Sequence, residues 1–285
     1  MTNSPIQKKE FHGQSIYIKR DDLLDKNFSG NKARKFAYFL EQDFSKITKV
    51  VSYGSAQSNA MYSLSVLAKL QGWEFDYYVE HLADYLKDNP HGNYKYALEN
   101  GMQLFIGNSI PKIHDKRTLF IEEGGRQQEA EYGIQVLAKE IAQWKENQGI
   151  EELNIFLPAG TGTTALYLQK NSKDNVYTTP CVGGVAYLKE QFLMLEKEEV
   201  FHPTIVTPSK KRHFGKLYRE SYNIWLELQD KMGVEFDLLY DPSGWLTLLE
   251  NPEIFEKPTL YIHQGGLIGN ESMLARYIRK YGENI

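Results

Sequence analysis

Short strands alternate with amphipathic helices along most of the 285-residue chain. In the clearest unit, a strand at 49–52 precedes a glycine turn at Gly54, and residues 59–71 follow a helical period that ends at Gly72. The same order recurs to the end of the chain. Strands are predicted at 15–19, 49–52, 75–79, 103–106, 118–121, 154–157, 177–182, 238–240 and 260–263. Helices are predicted at 32–43, 59–71, 90–100, 131–147, from 164 onward, 188–197, 218–232 and 270–280.

This alternation narrows the fold more than any other property of the sequence. Strands joined through helices run parallel in one sheet, and the helices cover both faces of that sheet. The sequence therefore predicts an α/β fold with open, twisted, mostly parallel sheets flanked by helices. Ligands of such folds bind beyond the carboxyl ends of the strands. The segments that follow predicted strands or begin helices are therefore the candidates for a functional site.

One candidate segment, Ser29–Lys35, reads Ser-Gly-Asn-Lys-Ala-Arg-Lys and leads into a predicted helix. A lysine amine becomes a nucleophile only when its pKa is lowered, and burial or neighbouring cations lower it. Arg34 and Lys35 closely follow Lys32 in the sequence, and Arg20 is a third candidate neighbour. Lys32 is therefore a candidate for a Schiff base with a carbonyl compound. The alternative is a basic helix start on a solvated surface, which is the usual meaning of such a cluster.

A second segment, Leu157–Thr164, runs from an apolar strand into two glycines and three threonines before a helix. Glycines let the backbone approach an anion, a helix N-terminus offers free N–H groups, and threonine hydroxyls add donors. No Gly-Lys-Ser/Thr follows, so the segment is not a Walker loop. The alternative is an ordinary strand-to-helix turn with a threonine cap. The predicted phosphate site consists of Gly160, Thr161, Gly162, Thr163 and Thr164.

Two further segments follow predicted strands. Ser52–Asn59 offers Ser, Gln and Asn side chains and backbone N–H groups to a carboxylate or a ring oxygen. The alternative there is a capping run at a helix start. His263–Gly266 contains two glycines that permit close approach of a ligand, and a single histidine is more often structural than catalytic. The Gly-x-Ser-x-Gly pattern of serine hydrolases is missing from the sequence.

A phosphate site, an activated lysine and polar loops at strand ends together suit one cofactor, pyridoxal 5′-phosphate. The lysine binds the aldehyde, and the glycine–threonine loop binds the phosphate. The ring then serves as an electron sink for a carbanion at the α or β carbon of an amino acid. The sequence therefore predicts a small amino acid as the substrate.

Composition excludes several other classes of protein. The formal net charge is −4, from 33 basic and 37 acidic residues, without a polybasic tract, so no nucleic-acid partner is expected. A single cysteine, Cys181, excludes a disulfide framework and a zinc site of several thiolates, and no metal is predicted. Residues Met1–Glu10 lack the apolar core of a signal peptide, and no segment has the roughly 18 apolar residues of a membrane span. We therefore expect a soluble, cytoplasmic protein.

Taken in order, these motifs resemble those of the tryptophan-synthase-β-like, or fold type II, pyridoxal-phosphate enzymes. The nearest branch is the 1-aminocyclopropane-1-carboxylate deaminase and D-cysteine desulfhydrase family. The resemblance covers most of the chain, and the ordered set is far more specific than any one motif. It is carried by Lys19–Asp22, Ser29–Lys35, Gly54–Asn59, Glu123–Gly125, Gly160–Thr164 and His263–Gly266.

The resemblance implies a role for each site residue. Lys32 would form the Schiff base with the cofactor and later move the substrate proton. Asn59 would donate a hydrogen bond to the phenolic oxygen of the ring, and Ser58 would be a catalytic acid/base or nucleophile. Gly160–Thr164 would hold the phosphate. The residues expected to contact the substrate are Gln57, Ser58, Asn59, Tyr240 and Gly265.

The resemblance also implies an architecture and a reaction. Two α/β domains with the site between them are expected, the smaller at 46–117 and the larger formed by 1–45 and 118–285. Family members are often homodimers, so a homodimer is expected. The implied enzyme is a pyridoxal-phosphate-dependent lyase or deaminase that releases ammonia and a 2-oxo acid from a small amino acid. D-cysteine desulfhydrase and 1-aminocyclopropane-1-carboxylate deaminase are the two types in question.

One stretch departs from the family pattern, which is commonly Asp-Pro, one residue, Tyr, an acidic or small residue, Gly and Lys. That Tyr contacts the substrate, and in deaminases the acidic residue pairs with the pyridine nitrogen. When the motif is aligned on Asp241-Pro242, Gly244 stands at the Tyr position and Trp245 at the acidic one. A ring nitrogen without a carboxylate partner is a weaker electron sink. This alignment favours β-elimination, such as loss of sulfide from a cysteine, over cyclopropane ring opening.

Two alternatives to this enzyme stay open. A degenerate member would bind the cofactor or a small metabolite without turnover, which the altered stretch after Tyr240 allows. A phosphate- or nucleotide-binding protein would use only the loop at Gly160, and the Lys32 segment argues against it. The sequence does not decide which amino acid, or which enantiomer, is the substrate.

Overall fold

Two sheets form the framework of the fold. A computed structural model of the chain describes residues 3–28, 30–107, 110 and 112–282, and Ser29 of the Ser29–Lys35 segment lies outside them. The strands are β1 (Ile6–Phe11), β2 (Gln14–Arg20), β3 (Lys49–Tyr53), β4 (Glu74–Val79), β5 (Met102–Ile106), β6 (Thr118–Ile121), β7 (Asn154–Ala159), β8 (Asn175–Pro180), β9 (Thr204–Ile205) and β10 (Thr259–His263). The helices are α1 (Asn31–Glu41), α2 (Asn59–Gln71), α3 (Asp84–Asp88), α4 (Gly92–Glu99), α5 (Ala130–Asn147), α6 (Thr163–Asn171), α7 (Val185–Leu195), α8 (Arg219–Met232), α9 (Asp241–Leu249) and α10 (Ile268–Tyr281).

The larger sheet has the strand order β1-β2-β10-β7-β8-β9, and the smaller has the order β5-β4-β3-β6. Among these neighbours only β1 and β2 are antiparallel. Apolar helix faces cover the sheets, so the central strands β3, β7 and β10 are buried on both sides. The predicted α/β fold with two mostly parallel sheets flanked by helices is therefore confirmed.

The smaller sheet extends beyond the predicted domain boundary. Strand β6 pairs in parallel with β3, from Lys49 opposite Thr118 to Ser52 opposite Ile121. A unit built on this sheet therefore runs past residue 117 to residue 121. The division of the chain into a small domain at 46–117 and a large domain formed by 1–45 and 118–285 is a proposal, and the pairing of β6 argues for moving its second boundary.

The edge strand β1 is absent from the sequence prediction. It turns into β2 at His12 and Gly13, whose φ angles of 49° and 74° suit a two-residue hairpin turn. Its sequence, Ile-Gln-Lys-Lys-Glu-Phe, is too charged to resemble a buried strand. Because β1 lies at the sheet edge, these charges stay in contact with solvent, where they also discourage pairing with another chain.

The predicted strand at 238–240 is wrong. These residues form the turn that leads into α9, a helix that was not predicted. Asp237 Oδ1 accepts the backbone N–H groups of Leu239 at 2.9 Å and Tyr240 at 2.5 Å. Such local side-chain bonds compete with an extended strand, and Pro242 is compatible with the first turn of the helix.

A buried ion cluster fixes α1 against β2 and α5. Arg34 Nε lies 2.6 Å from Asp21 Oδ2, and Arg34 Nη2 lies 2.8 Å from Glu140 Oε2. Lys19 Nζ contacts the same Glu140 oxygen at 2.6 Å. Two cations and two carboxylates balance in charge, and removing one partner of a buried pair typically costs about 3–5 kcal/mol. The start of α1, which carries Lys32, is therefore held in a fixed place.

Candidate active site

A cavity of about 360 Å³ lies where strand ends of both sheets meet the starts of α1, α2, α6 and α9. This volume is within the range of roughly 300–1,000 Å³ that is typical of small-molecule sites. The structure brings all the predicted site residues together around it. They are Lys32, Gln57, Ser58, Asn59, Gly160, Thr161, Gly162, Thr163, Thr164, Tyr240 and Gly265.

Lys32 lies in the first turn of α1 and lines the cavity. Its Nζ donates a hydrogen bond to Asn31 Oδ1 at 3.0 Å. Burial of the amine lowers its pKa from 10.5 to about 8, and the negative charge of Asp237 opposes this shift. At that pKa an appreciable fraction of the amine is neutral near physiological pH, as a nucleophilic lysine requires.

Burial, rather than neighbouring cations, is the main cause of the lowered pKa of Lys32. Arg34 and Arg20, which the sequence suggests as activating charges, are instead paired with carboxylates. Lys35 does share the cavity with Lys32. The activation predicted for Lys32 therefore has a different physical origin from the one its neighbours in sequence suggest.

The predicted phosphate loop joins β7 to α6. Gly162 has a φ of +71°, and a Cβ at this position would overlap the ring of Phe192, so the turn requires glycine. Helix α6 begins at Thr163, and the first N–H groups of a helix have no acceptor within it. Thr161 Oγ1 lies 3.1 Å from Thr163 Oγ1. This combination of free N–H groups and hydroxyls suits a phosphate.

A second lysine, Lys35, lies beside the phosphate loop. Its Nζ donates to the carbonyl oxygen of Gly124 at 3.0 Å. Gly124 itself packs against Thr161 of the phosphate loop, because a Cβ added to it would lie 3.0 Å from Thr161 Cγ2. Burial, followed by the charges of Lys32 and Arg126, lowers the pKa of Lys35 well below its usual value. A nearby anion would stabilise the charged amine. Lys35 could therefore help to hold a phosphate, a role that the sequence analysis missed.

The start of α2 supplies the predicted substrate loop. Ser58 caps the helix, because its Oγ accepts the N–H groups of Ala60 at 3.1 Å and Met61 at 3.4 Å. Gln57 lines the cavity, but its Nε2 donates to the carbonyl oxygen of His91 at 3.2 Å. The Nε2 of Gln57 is thus engaged, whereas its Oε1 is buried without a partner among the described residues. The Ser58 hydroxyl is hydrogen-bonded to the Tyr77 side chain and would have to leave it to reach a substrate.

Tyr240 and Asp241 line the cavity from the start of α9. The Tyr240 ring lies 3.4 Å from the position that a Cβ would take on Gly160, so it covers the beginning of the phosphate loop. Asp241 Oδ1 accepts the Tyr261 hydroxyl at 2.6 Å, and Oδ2 accepts the backbone N–H of Asp237 at 3.0 Å. Burial and the charge of Asp237 raise the pKa of Asp241 well above its usual value.

The structure argues against aligning the family motif on Asp241-Pro242. Gly244 and Trp245 are not among the described residues that line the cavity, and Trp245 stacks on Tyr261 in an aromatic core with ring centroids 4.5 Å apart. Alignment four residues earlier gives Asp237–Asp241, which reads Asp-Leu-Leu-Tyr-Asp. This stretch has the family spacing of acid, Tyr and second acid, with leucine in place of proline. The missing proline is why the sequence alone misplaced the motif.

Other cavity residues also escaped prediction as site residues. Asn31 Nδ2 donates to Gln264 Oε1 at 2.7 Å, and Gln264 Nε2 donates to Pro158 O at 2.6 Å, so these amides join α1 to β7. Asn31, Glu123 and Gln264 belong to the motifs that carry the family resemblance. Membership of those motifs was the sequence signal that could have identified them as site residues. His263, by contrast, is a buried structural residue outside the cavity lining, with Nε2 2.7 Å from the carbonyl oxygen of Glu235.

The cofactor-free protein should have a pH-dependent stability that Asp237 controls. Burial raises the pKa of this carboxyl from 3.8 to about 7, so the folded protein binds the proton more tightly than the unfolded chain does. The free energy of unfolding that this group contributes is therefore present at low pH and is lost as the pH rises towards 7. Relative to wild type, Asp237→Asn should gain stability on the order of 2 kcal/mol over this range.

Thermal unfolding of both cofactor-free proteins between pH 4 and 9 measures this effect. Asparagine keeps an oxygen that accepts the N–H groups of Leu239 and Tyr240, so the turn before α9 should persist. The difference in unfolding temperature between the two proteins should change up to about pH 7 and then level off. A difference independent of pH would contradict this account of the Asp237 pKa.

Membrane-spanning helices and candidate metal sites are absent from the described part of the chain. Within the described part of the chain, none of the helices combines the length and apolar character needed to cross a membrane. Nor do the residues that the structure describes bring three or more His, Cys, Asp or Glu side chains into a group that could hold a metal ion. Cys181 is buried, and burial raises the pKa of its thiol to about 12, so it is not a reactive thiolate.

Comparison with known proteins supports the resemblance that the motifs predict. No protein-family model matches the chain. A Pyrococcus furiosus protein named "Putative 1-aminocyclopropane-1-carboxylate deaminase" is 25% identical over 284 residues, which cover 90% of this chain and 86% of that protein.

Solved structures show the same likeness at the level of the fold. A structure described as an ACC deaminase homologue has a TM-score of 0.80 at 20% identity and covers 98% of this chain and 94% of its own. A structure described as a T.th. threonine deaminase has a TM-score of 0.66 at 12% identity, with coverages of 93% and 92%. The predicted resemblance to 1-aminocyclopropane-1-carboxylate deaminase relatives is confirmed, and the chain has the fold of the tryptophan-synthase-β-like, fold type II, pyridoxal-phosphate enzymes.

Proposed function

We propose that the chain is a pyridoxal-phosphate-dependent enzyme that acts on a small amino acid and releases ammonia and a 2-oxo acid. One observation carries the proposal. A single cavity is lined by a lysine with a lowered pKa, a glycine–threonine loop at a helix N-terminus and an asparagine amide of fixed orientation. The name of the Pyrococcus furiosus relative and the fold support the same class.

The chemistry of the cavity residues fits the cofactor group by group. The loop at Gly160–Thr164 and the Lys35 amine suit the phosphate, and the Lys32 amine suits the aldehyde. Asn59 suits the phenolic oxygen as a donor. Asp241, whose carboxyl group lines the same cavity, suits the pyridine nitrogen as a hydrogen-bonding partner. Each polar part of the cofactor would therefore meet a group of complementary character.

Bound pyridoxal phosphate would supply an electron sink for a carbanion at the substrate α or β carbon. Lys32 would hold the cofactor, and its amine, once released by the incoming amino acid, would take and return the substrate proton. A pKa of about 8 suits this exchange, because an efficient acid/base has a pKa near the working pH. The Ser58 hydroxyl would donate a hydrogen bond to the substrate carboxylate or act on the departing group.

The position of Asp241 bears on the type of reaction. A carboxylate beside the pyridine nitrogen favours the protonated ring, which withdraws electrons more strongly. This supports deamination with cyclopropane ring opening as the first candidate, since the argument for β-elimination rested on Trp245. The second candidate is β-elimination from D-cysteine. It is favoured if Asp241 stays protonated, as its raised pKa allows.

Reconstitution and a substrate screen test the proposal. The protein incubated with pyridoxal phosphate should develop the visible absorbance of a lysine-bound cofactor. It should then release 2-oxobutanoate and ammonia from 1-aminocyclopropane-1-carboxylate, with D-cysteine, L-cysteine and D-serine assayed in parallel. Release of pyruvate and sulfide from D-cysteine alone would select the second candidate. A colourless protein that cannot be reconstituted would overturn the proposal.

The same experiment separates the two non-catalytic alternatives. A degenerate relative would develop the visible absorbance but release no 2-oxo acid from any amino acid tested. A nucleotide-binding protein would bind a nucleotide at the Gly160 loop and form no covalent adduct at Lys32. A homodimer and a cytoplasmic location are further parts of the proposal, and light scattering of the reconstituted protein tests the first of them.

A further inference from the structure

Asn93 lies behind the cavity and is joined to the segment that leads into α2. It occupies the first turn of α4, is only 1% exposed and is not among the described residues that line the cavity. Its Nδ2 donates to Asn59 Oδ1 at 2.7 Å and to the backbone carbonyl oxygen of Gln57 at 3.0 Å. One amide nitrogen therefore links the residue that faces the cofactor to the loop that faces the substrate.

These two bonds determine which end of the Asn59 amide faces the cavity. A backbone carbonyl can only accept a hydrogen bond, so the end of Asn93 that meets Gln57 must be the nitrogen. The same nitrogen meets Asn59, so the end of Asn59 beside it must be the oxygen. The Nδ2 of Asn59 is then directed elsewhere. The orientation follows from the carbonyl and does not depend on how either amide was assigned.

The other end of the Asn59 amide, its Nδ2, lies near Asp237. A Cβ on Gly266 would lie 2.7 Å from Asn59 Nδ2 and 2.9 Å from Asp237 Oδ2, so these two atoms approach the same place. Asn59 and Asp237 both line the cavity. The donor end of Asn59 is therefore the end available to a ligand.

Gly92 allows Asn93 to take this position. It has a φ of +56°, and a Cβ there would lie 2.5 Å from Ser272 Oγ and 3.2 Å from Gln57 Oε1. A larger residue would separate the start of α4 from α2 and α10 and would draw Asn93 away from Asn59.

We propose that Asn93 is a positioning residue that fixes the Asn59 amide with its N–H groups towards the phenolic oxygen of the cofactor. The proposal rests on the proposed function. A donor at that oxygen stabilises its ionised form, and an amide turned by half a rotation would present a lone pair and oppose it. Asn93 thus acts through Asn59 on the electronic state of a cofactor that it does not touch.

A double-mutant cycle tests this role. Asn93→Ala, Asn59→Ala and the double variant are reconstituted with pyridoxal phosphate, and two quantities are measured. These are the cofactor dissociation constant and the pH midpoint of the visible absorbance. Each single variant should weaken binding by about tenfold, the loss of a hydrogen bond to a charged group. Both should shift the pH midpoint in the same direction. Because Asn93 acts through Asn59, the double variant should match Asn59→Ala.

Two controls keep the result interpretable. Asn100→Ala, at the other end of α4, removes a bond to Ser65 and should change neither quantity. Asn93→Asp is the second variant if alanine does not fold. It keeps the shape of the side chain but cannot donate to Asn59, and it should shift the midpoint at least as far. Thermal unfolding of the cofactor-free proteins establishes that each variant is folded.

Additive losses in the double variant, or a pH midpoint that Asn93→Ala leaves unchanged, would show a merely structural role and overturn the inference. If the variants give this outcome while the wild-type protein binds pyridoxal phosphate, the proposed function stays intact. A wild-type protein that binds no cofactor overturns both.

Discussion

Lys32→Ala is expected to abolish the visible absorbance of bound cofactor and almost all turnover. Among the described cavity residues, the other lysine, Lys35, is bonded to Gly124 O beside the phosphate loop. The variant loses both the covalent attachment and the amine that moves the substrate proton, so turnover should fall by at least about 10³-fold. Titration with pyridoxal phosphate, followed by absorbance and 2-oxo acid release, measures both effects.

Two lysine variants serve as controls for this result. Lys35→Ala removes the proposed phosphate contact, so it should keep the visible absorbance but bind the cofactor about tenfold more weakly. Lys46→Ala changes an exposed lysine beyond the end of α1 and should alter neither quantity. Retention of the absorbance in Lys32→Ala, or its loss in Lys35→Ala alone, would contradict the assignment of Lys32.

Asp241→Asn is expected to have the second largest effect. Asparagine keeps the shape of the side chain and an acceptor for the Tyr261 hydroxyl, but it removes the acceptor of the Asp237 N–H and the carboxylate proposed for the pyridine nitrogen. Loss of one preorganised electrostatic group in an active site commonly costs about 10²–10³-fold in turnover. Ring opening needs the strongest electron withdrawal, so 2-oxobutanoate release from 1-aminocyclopropane-1-carboxylate should fall more than pyruvate release from D-cysteine.

Trp245→Phe is the matched control for Asp241→Asn. Trp245 stands at the acidic position only when the motif is aligned on Asp241-Pro242, and its ring is 1% exposed between Tyr261, Phe236 and Phe11. The variant should lose some stability and retain its turnover. Full turnover in Asp241→Asn, together with lost turnover in folded Trp245→Phe, would show that the alignment on Asp237 is wrong.

Features with local causes could be predicted from the sequence. The predicted bounds of α2 match the structure, because an apolar period, the Ser58 cap and Gly72 with a φ of +71° all mark the same helix. The glycine–threonine loop was also recognisable, since its conformation follows from short-range properties of glycine and of a helix start. The fold class followed from the alternation of such units.

Features that depend on distant residues could not be predicted. The turn at 238–240 is apolar in sequence, and only the side chain of Asp237 shows that it is not a strand. The pKa of Lys32 depends on burial by elements far apart in the chain, which the adjacent charges do not reveal. Asn93 lies 34 residues from Asn59 in sequence, and no local signal connects the two.

The central claim is that Lys32 binds pyridoxal phosphate covalently, and one measurement tests it most directly. The reconstituted protein is reduced with borohydride, digested and mapped by peptide mass. We predict one phosphopyridoxyl adduct, located on the peptide that contains Lys32. An adduct on a different lysine, or no adduct in a folded protein saturated with the cofactor, would contradict the account.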